Sequence, residues 1–167
     1  QDTIDVLNQR DGSPILHPTQ SMPLQGSAGW PAIQLDLERR GSVLGLSPQT
    51  LSHLERNYGA EAIALLDLID DDSSLAQLII DDLPYIRAEV IYACRQEMAM
   101  TPYDVLARRT SITLEDRRRG LDAVDDIAAL MSKEHQWSPE QRQSVVAAFR
   151  SAIEAQIAAE KIGVGLA

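Results

Sequence analysis

The residues best suited to chemistry lie between Leu83 and Thr110, where charged and aromatic side chains recur at helical spacing. Offsets of about four, seven and eleven residues fall on one face of a helix. The residues at these offsets are Tyr85, Glu89, Tyr92 and Gln96. The Glu89 carboxylate is costly to bury beside two tyrosines unless a cation pairs with it. The adjacent Arg108 and Arg109 are candidates for that cation.

The charged residues of this stretch form a candidate ion network, and two interpretations of it remain open. Its members are Glu89, Glu97, Asp104, Arg108 and Arg109. Either the network is structural and fixes its own helices, which we favour, or the arginines bind an anionic ligand. An i,i+4 pair such as Asp104 and Arg108 contributes only about 0.3 kcal/mol on a helix surface, so the spacing does not decide between them.

The remaining metal-ligating and nucleophilic residue types are isolated in the sequence. His17, His53 and His135 form neither H-E-x-x-H nor H-x-x-E-H, so we interpret each of them as structural. Cys94 follows an alanine on a predicted helix, where a small buried side chain is expected. The acidic run at 70–72 lacks the glycine and the closing glutamate of a calcium loop, so it predicts a solvated turn that caps the next helix.

Phosphate-binding loops are also missing from the sequence. Neither G-x-G-x-x-G nor G-x-x-x-x-G-K-[ST] occurs, so backbone N–H groups are not arranged to bind a nucleotide. We therefore predict no catalytic residue, no cofactor-binding residue and no metal ligand in this chain.

Charge and composition narrow the classes of partner. The 167 residues include 15 Lys and Arg against 25 Asp and Glu, a net charge of −10 that disfavours nucleic acid and anionic lipid. The 44% hydrophobic content is that of a folded protein. We expect neither a signal peptide at Gln1 nor an apolar run of the roughly 18 to 20 residues that a membrane span needs. The single Cys94 fits a reducing compartment.

Capping patterns predict an all-α fold, specifically a multi-helix orthogonal bundle. Helix starts are predicted at Ser47-Pro48, Thr101-Pro102, Thr113 and Ser138-Pro139. Apolar residues at spacings of three or four predict two buried helix faces. These faces are Leu121, Val124, Ala128 and Met131, and then Val146, Phe149, Ile153 and Ile157. Further helices are expected at 32–40, 48–57, 60–69 and 84–98, with a break at Gly59.

The sequence divides into three parts. Residues 11–31 hold four of the eight prolines and three of the nine glycines, which predicts an irregular linker. Residues 1–10 before it have the pattern of the last turns of a helix that starts outside the sequence. Residues 32–167 form the predicted helical domain.

The stretch from Leu83 to Ser111 resembles the signature of the C-terminal helical domain of FAD-dependent glycerol-3-phosphate dehydrogenases, the aerobic and quinone-linked kind. That family shows A-E-V-x-Y followed by E-x-A-x-T-x-x-D-x-L-x-R-R-T. The matching residues here are Ala88, Glu89, Val90, Tyr92, Glu97, Ala99, Thr101, Asp104, Leu106, Arg108, Arg109 and Thr110. Residues 19–26 and 127–137 resemble the linker and a later helix of that family, and residues 32–80 resemble it weakly.

This resemblance implies a function for a parent enzyme. The parent would oxidise glycerol 3-phosphate to dihydroxyacetone phosphate and pass electrons through FAD to a quinone. The family's flavin-binding and catalytic residues have no counterparts here, so the fragment itself is expected to be inactive and to pack against the flavoprotein body of the same chain. We expect a cytoplasmic location, with the parent peripheral at the cytoplasmic face of a membrane as an alternative.

A second hypothesis belongs to a different class of protein. The chain could be a free-standing helical interaction module that presents the face around Tyr85, Glu89 and Tyr92 to a partner. An excised domain would carry an exposed apolar patch where the enzyme body sits, and a free-standing module would not.

Overall fold

The computed structural model describes residues 29–164 and the single positions Val6, Arg10, Gly12, Met22 and Ser27. The predicted helix end at 1–10, most of the predicted linker and His17 lie outside the described residues.

Seven α-helices make up the described part of the chain, which confirms the all-α prediction. They are α1 (Trp30–Val43), α2 (Pro48–Tyr58), α3 (Ala62–Asp71), α4 (Arg87–Gln96), α5 (Ile112–Glu115), α6 (Val124–His135) and α7 (Pro139–Val164). Short 3₁₀-helices cover Gly59–Glu61 and Ser73–Ala76, and a π-helix covers Asp104–Arg109. None of the helices in the described part combines the length and the apolar content that a membrane crossing needs.

Three of the predicted helix starts have the expected side-chain caps, and two of these three open the α-helices α2 and α7. At α2 the Ser47 hydroxyl accepts the N–H of Thr50 at 3.0 Å. At α7 the Ser138 hydroxyl accepts the N–H of Gln141 at 3.2 Å, and the Gln141 side chain accepts the N–H of Ser138 at 2.7 Å. Both prolines stand in the first turn, where an N–H has no partner inside the helix. These two starts are confirmed.

The predicted start at Thr113 is wrong. Thr113 lies inside α5, which has only four residues, and the next helix begins at Val124. The intervening turn is held by Asp116, whose carboxylate accepts the N–H of Gly120 at 2.8 Å. Gly120 has a φ of +79°, a left-handed conformation that ends the helical path. Leu121 therefore precedes the helix whose buried face it was predicted to share.

The predicted helix at 84–98 begins three residues later and ends two residues earlier, as α4. The segment before α4 folds back and forms backbone hydrogen bonds between its two ends. The Ile79 N–H donates to the Tyr85 carbonyl at 2.9 Å, and the Arg87 N–H donates to the Gln77 carbonyl at 3.0 Å. Tyr85 consequently lies outside α4, and its expected place on one helical face with Glu89 is wrong.

The other predicted helices agree more closely with the structure. Gly59, with a φ of +54°, separates α2 from α3 as expected. The first helix is longer than the predicted 32–40, because it runs from Trp30 to Val43.

Helix α4 lies between two clusters of buried apolar side chains. One cluster is built by the π-helix, α5, α6 and α7, and the other by α1, α2 and α3. Val90 and Ala93 of α4 belong to the first cluster, and Ala88 and Ile91 belong to the second. The predicted faces at Val124–Met131 and Val146–Ile153 bury into the first cluster.

Candidate functional site

Glu89 is the most deeply buried charged residue in the described part of the chain, with 1% of its surface exposed. It stands in the first turn of α4, where its Oε2 accepts the backbone N–H of Ile86 at 2.7 Å. Its Oε1 accepts a hydrogen bond from the Tyr58 hydroxyl at 2.9 Å and lies 2.7 Å from Nε2 of His53. Hydrogen bonds at both oxygens compensate for the loss of water around this carboxylate.

His53 is the side chain that donates to Glu89, a place that the sequence analysis gave to Arg108 or Arg109. His53 is only 4% exposed, and the Asn57 amide nitrogen lies 2.8 Å from its Nδ1. With that amide donating to Nδ1, Nε2 carries the proton that Glu89 accepts. The ring of Tyr85 stands edge-on against the imidazole, with centroids 4.6 Å apart.

Tyr58 and Tyr85 connect this cluster to its surroundings. Burial, reinforced by the negative charge of Glu89, raises the pKa of Tyr58 above its ordinary value. Tyr58 also packs edge-on against Tyr92, at a centroid distance of 5.4 Å. On the other side, the Tyr85 hydroxyl donates to Glu115 at 2.9 Å and accepts the N–H of Ser111 at 3.2 Å.

Glu97 and Arg109 form a separate pair at the end of α4. Nε of Arg109 lies 3.4 Å from Oε2 of Glu97, and its guanidinium donates to the Glu97 carbonyl at 2.6 Å. Partial burial raises the pKa of Glu97, while Arg109 lowers it and the charge of Glu89 raises it further. The charge of Glu89 thus affects the ionisation of Glu97, although the two carboxylates have different partners.

Asp104 and Arg108 form a third group, at the start of the π-helix. The Asp104 carboxylate accepts the N–H of Met100 at 3.1 Å, and both the N–H and the hydroxyl of Thr101, at 2.9 and 2.8 Å. It also pairs with Arg108, whose side chain is 62% exposed. Partial burial opposes ionisation, but the hydrogen bonds, led by the Thr101 side chain, lower the pKa of Asp104. The predicted start at Thr101 is therefore capped, although its helix continues as a π-helix.

The structure thus separates the five candidate residues into three groups. Glu89 contacts His53 and Tyr58, while Glu97 pairs with Arg109 and Asp104 pairs with Arg108. The histidine and glutamate of the first group have the geometry of an acid–base pair, but both are enclosed, so a substrate could not reach them. The contacts of Glu89 with His53 and Tyr58 can instead hold α2 against the start of α4. Sequence reasoning did not identify His53 and Tyr58 as partners of Glu89, because they lie 36 and 31 residues away along the chain and no spacing pattern links them.

The other residues that were singled out lie apart from this cluster. Nε2 of His135 lies 2.9 Å from the Ala99 carbonyl oxygen, and its ring stacks on Trp137. Burial raises the pKa of the Cys94 thiol to about 11, which suits an unreactive side chain. Asp72 caps the following 3₁₀-helix by accepting the N–H of Ser74 at 3.0 Å, and Asp70 pairs with Arg40.

Two surface depressions border the stretch from Leu83 to Ser111. A polar pocket is lined by Asn57, Tyr58, Glu61, Tyr92, Gln96 and Glu97. An apolar groove is lined by Thr101, Tyr103, Val145, Ala148, Phe149 and Ala152. Neither contains a glycine-rich loop that could approach a pyrophosphate, so these residues do not fit FAD. Within the described residues, His, Cys, Asp and Glu side chains do not gather in a group that could hold a metal ion.

Comparison with known proteins gives consistent matches. A model of the C-terminal domain of alpha-glycerophosphate oxidase matches residues 17–142. Glycerol-3-phosphate dehydrogenase 2 of Mycobacterium tuberculosis is 30% identical over 139 residues, which are 83% of this chain and 24% of the relative. Glycerol-3-phosphate dehydrogenase of Synechocystis sp. is 30% identical over 138 residues, 82% of this chain and 25% of the relative. The mitochondrial enzyme of Rattus norvegicus is 28% identical over 130 residues, 75% of this chain and 17% of the relative.

The chain therefore spans about a quarter or less of the length of these relatives. No solved structure gives a significant match. The matched region contains the whole A-E-V-x-Y and R-R-T stretch, so the resemblance seen in the sequence is confirmed. The chain belongs to the family of C-terminal domains of alpha-glycerophosphate oxidase.

Proposed function

We propose that this chain is the C-terminal helical domain of an FAD-dependent glycerol-3-phosphate dehydrogenase. The complete enzyme oxidises glycerol 3-phosphate to dihydroxyacetone phosphate and passes the electrons through FAD to a quinone. The domain itself performs no catalysis and packs against the flavoprotein part of the enzyme. The observation that carries this proposal is the match to glycerol-3-phosphate dehydrogenases over 83% of the chain.

In this proposal the flavin belongs to the flavoprotein part. FAD supplies the hydride acceptor, and protein groups position the substrate beside it. The described residues offer no cradle for FAD, and the buried Glu89 pair offers no accessible base. The division into a helix end at 1–10, a linker at 11–31 and a domain at 32–167 belongs to the same proposal.

We assign the five charged residues a structural role. Each lies at an end of a helix or in a turn. Glu89 and Asp104 accept backbone N–H groups, and Asp104 also pairs with Arg108. Arg109 donates to the Glu97 carbonyl and pairs with the Glu97 side chain. The complete enzyme is proposed to be cytoplasmic or peripheral at the cytoplasmic face of a membrane, and the net charge of −10 disfavours nucleic acid as a partner.

The test compares this chain with the longer protein encoded at the same locus. We expect the longer protein to be yellow and to reduce a dye when glycerol 3-phosphate is added, while this chain is colourless and inactive. Flavin absorbance and dye reduction provide the measurements. A longer protein without flavin and without this activity would overturn the proposal and favour a free-standing helical interaction module.

A further inference from the structure

The turn that follows α4 exposes two methionines, Met98 and Met100, which are separated by one residue. Met98 has 83% of its surface exposed and Met100 has 57%, while Ala99 between them is fully buried. Single exposed apolar residues are common on protein surfaces, but grouped ones mark contact surfaces. Methionine is well suited to such a surface because its unbranched side chain adapts to the shape of a partner.

Met98 occupies a backbone conformation that favours glycine. Its φ is +55°, in the left-handed region just beyond the end of a helix, where glycine is the usual residue. The turn is fixed in place because Ala99 donates to the Ala93 carbonyl at 3.0 Å. A methionine here is strained in order to place a large apolar side chain in solvent, which indicates a role for that side chain outside the domain.

The neighbouring Glu97 carries a polar atom without a hydrogen bond. Its Oε2 is buried and accepts no hydrogen bond from any described residue, although Nε of Arg109 lies 3.4 Å away. Buried acceptors of this kind are rare, because each costs free energy that a donor would recover. The Glu97 carboxylate therefore leaves part of its hydrogen-bonding capacity unused at this turn.

The turn also lies between the two depressions already described. Glu97 lines the polar pocket together with Glu61, and Thr101 lines the apolar groove together with Phe149. We define the Met98 surface as residues 97–101, which connect the pocket to the groove.

We propose that the Met98 surface is where the flavoprotein part of the enzyme docks on this domain, an inference that rests on the proposed function. The relatives are about four times as long as the matched region, so most of the enzyme lies outside this chain. A second copy of the domain fits less well, because a two-fold contact would place the carboxylates of Glu61 and Glu97 against those of the partner copy. The occupant should present apolar side chains to the two exposed methionines.

The first experiment measures methionine oxidation by hydrogen peroxide in this chain and in the longer, flavin-containing enzyme, using mass spectrometry. We expect Met98 to oxidise at least tenfold more slowly in the enzyme. V43M provides a matched control, since position 43 is 82% exposed at the end of α1. A methionine there should oxidise at the same rate in both proteins. Equal rates for Met98 in a yellow, active enzyme would overturn the docking proposal and leave the proposed function intact.

The second experiment identifies the occupant. A photoreactive phenylalanine derivative in place of Met98 should cross-link to a peptide of the flavoprotein part of the same chain, without doubling the mass. A cross-linked product of doubled mass that joins two copies of this domain would overturn the assignment of the occupant. A longer protein that contains no flavin would overturn the proposed function and this inference together.

Discussion

Glu89 combines deep burial with three hydrogen-bonding partners, so its removal should be costly. Glu89→Ala leaves the Ile86 N–H, the Tyr58 hydroxyl and the His53 ring without their acceptor. Each buried donor left without an acceptor costs about 1 to 3 kcal/mol, so the loss of all three contacts costs at least about 3 kcal/mol. We expect the free energy of unfolding, measured with urea, to fall by that amount.

The control for this variant is a surface carboxylate. Asp126 pairs with Arg87 but is 69% exposed, so Asp126→Ala should change the free energy of unfolding by less than about 1 kcal/mol. Similar effects for the two variants would mean that the Glu89 cluster does not stabilise the fold.

Tyr58 makes stability sensitive to alkaline pH. Burial raises its pKa in the folded chain, so above the ordinary tyrosine pKa of about 10 the unfolded chain loses a proton that the folded chain keeps. The stability should then fall with rising pH, by up to about 1.4 kcal/mol per pH unit for this residue. Urea unfolding between pH 9 and 11 should show a shallower decline in Tyr58→Phe. Parallel declines would exclude Tyr58 as the cause.

The sequence identified Glu89 as a buried charge in need of a partner but could not identify His53. That contact joins residues 36 positions apart, and it depends on how α2 lies against α4. The arginine pair at 108–109 was the nearer candidate along the chain, yet its side chains lie on the surface turns after α4. Local spacing predicts partners within one helix, whereas tertiary packing decides those between helices.

At the scale of elements, Asp104 shows what starts the π-helix. Three hydrogen bonds from Met100 and Thr101 end on its carboxylate, whereas its ion pair is with a largely exposed arginine. Asp104→Ala should therefore cost about 2 kcal/mol, and Arg108→Ala less than about 0.5 kcal/mol. Thermal unfolding of both variants measures the difference. A larger loss in Arg108→Ala would mean that the ion pair, not the cap, holds this element.

Helix starts were predictable where a cap and a proline occur together, as at Ser47 and Ser138. Thr113 offered a hydroxyl with no proline after it, and the Asp116 side chain and Gly120 turn the chain only a few residues later. Tyr85 was misplaced because backbone pairing around Ile79 delays the start of α4. In both cases hydrogen bonds to non-helical partners outweighed helix propensity.

At the scale of the whole molecule, α4 joins the two apolar clusters. Its residues alternate between them, and Leu130 of α6 contacts both. Loss of either cluster would expose one face of α4, so neither half should remain folded without the other. The described part of the chain is therefore expected to unfold as one cooperative unit.

The two tryptophans allow this cooperativity to be measured. Trp30 packs against the second apolar cluster, built by α1, α2 and α3, and Trp137 packs against the first cluster, built by the π-helix, α5, α6 and α7. The sequence contains no other tryptophan. In W137F the fluorescence reports only on Trp30, and in W30F only on Trp137. Within each variant, the urea midpoint from fluorescence should coincide with the midpoint from circular dichroism, because α4 couples both clusters. If the two midpoints separate in either variant, the clusters unfold independently and α4 does not couple them.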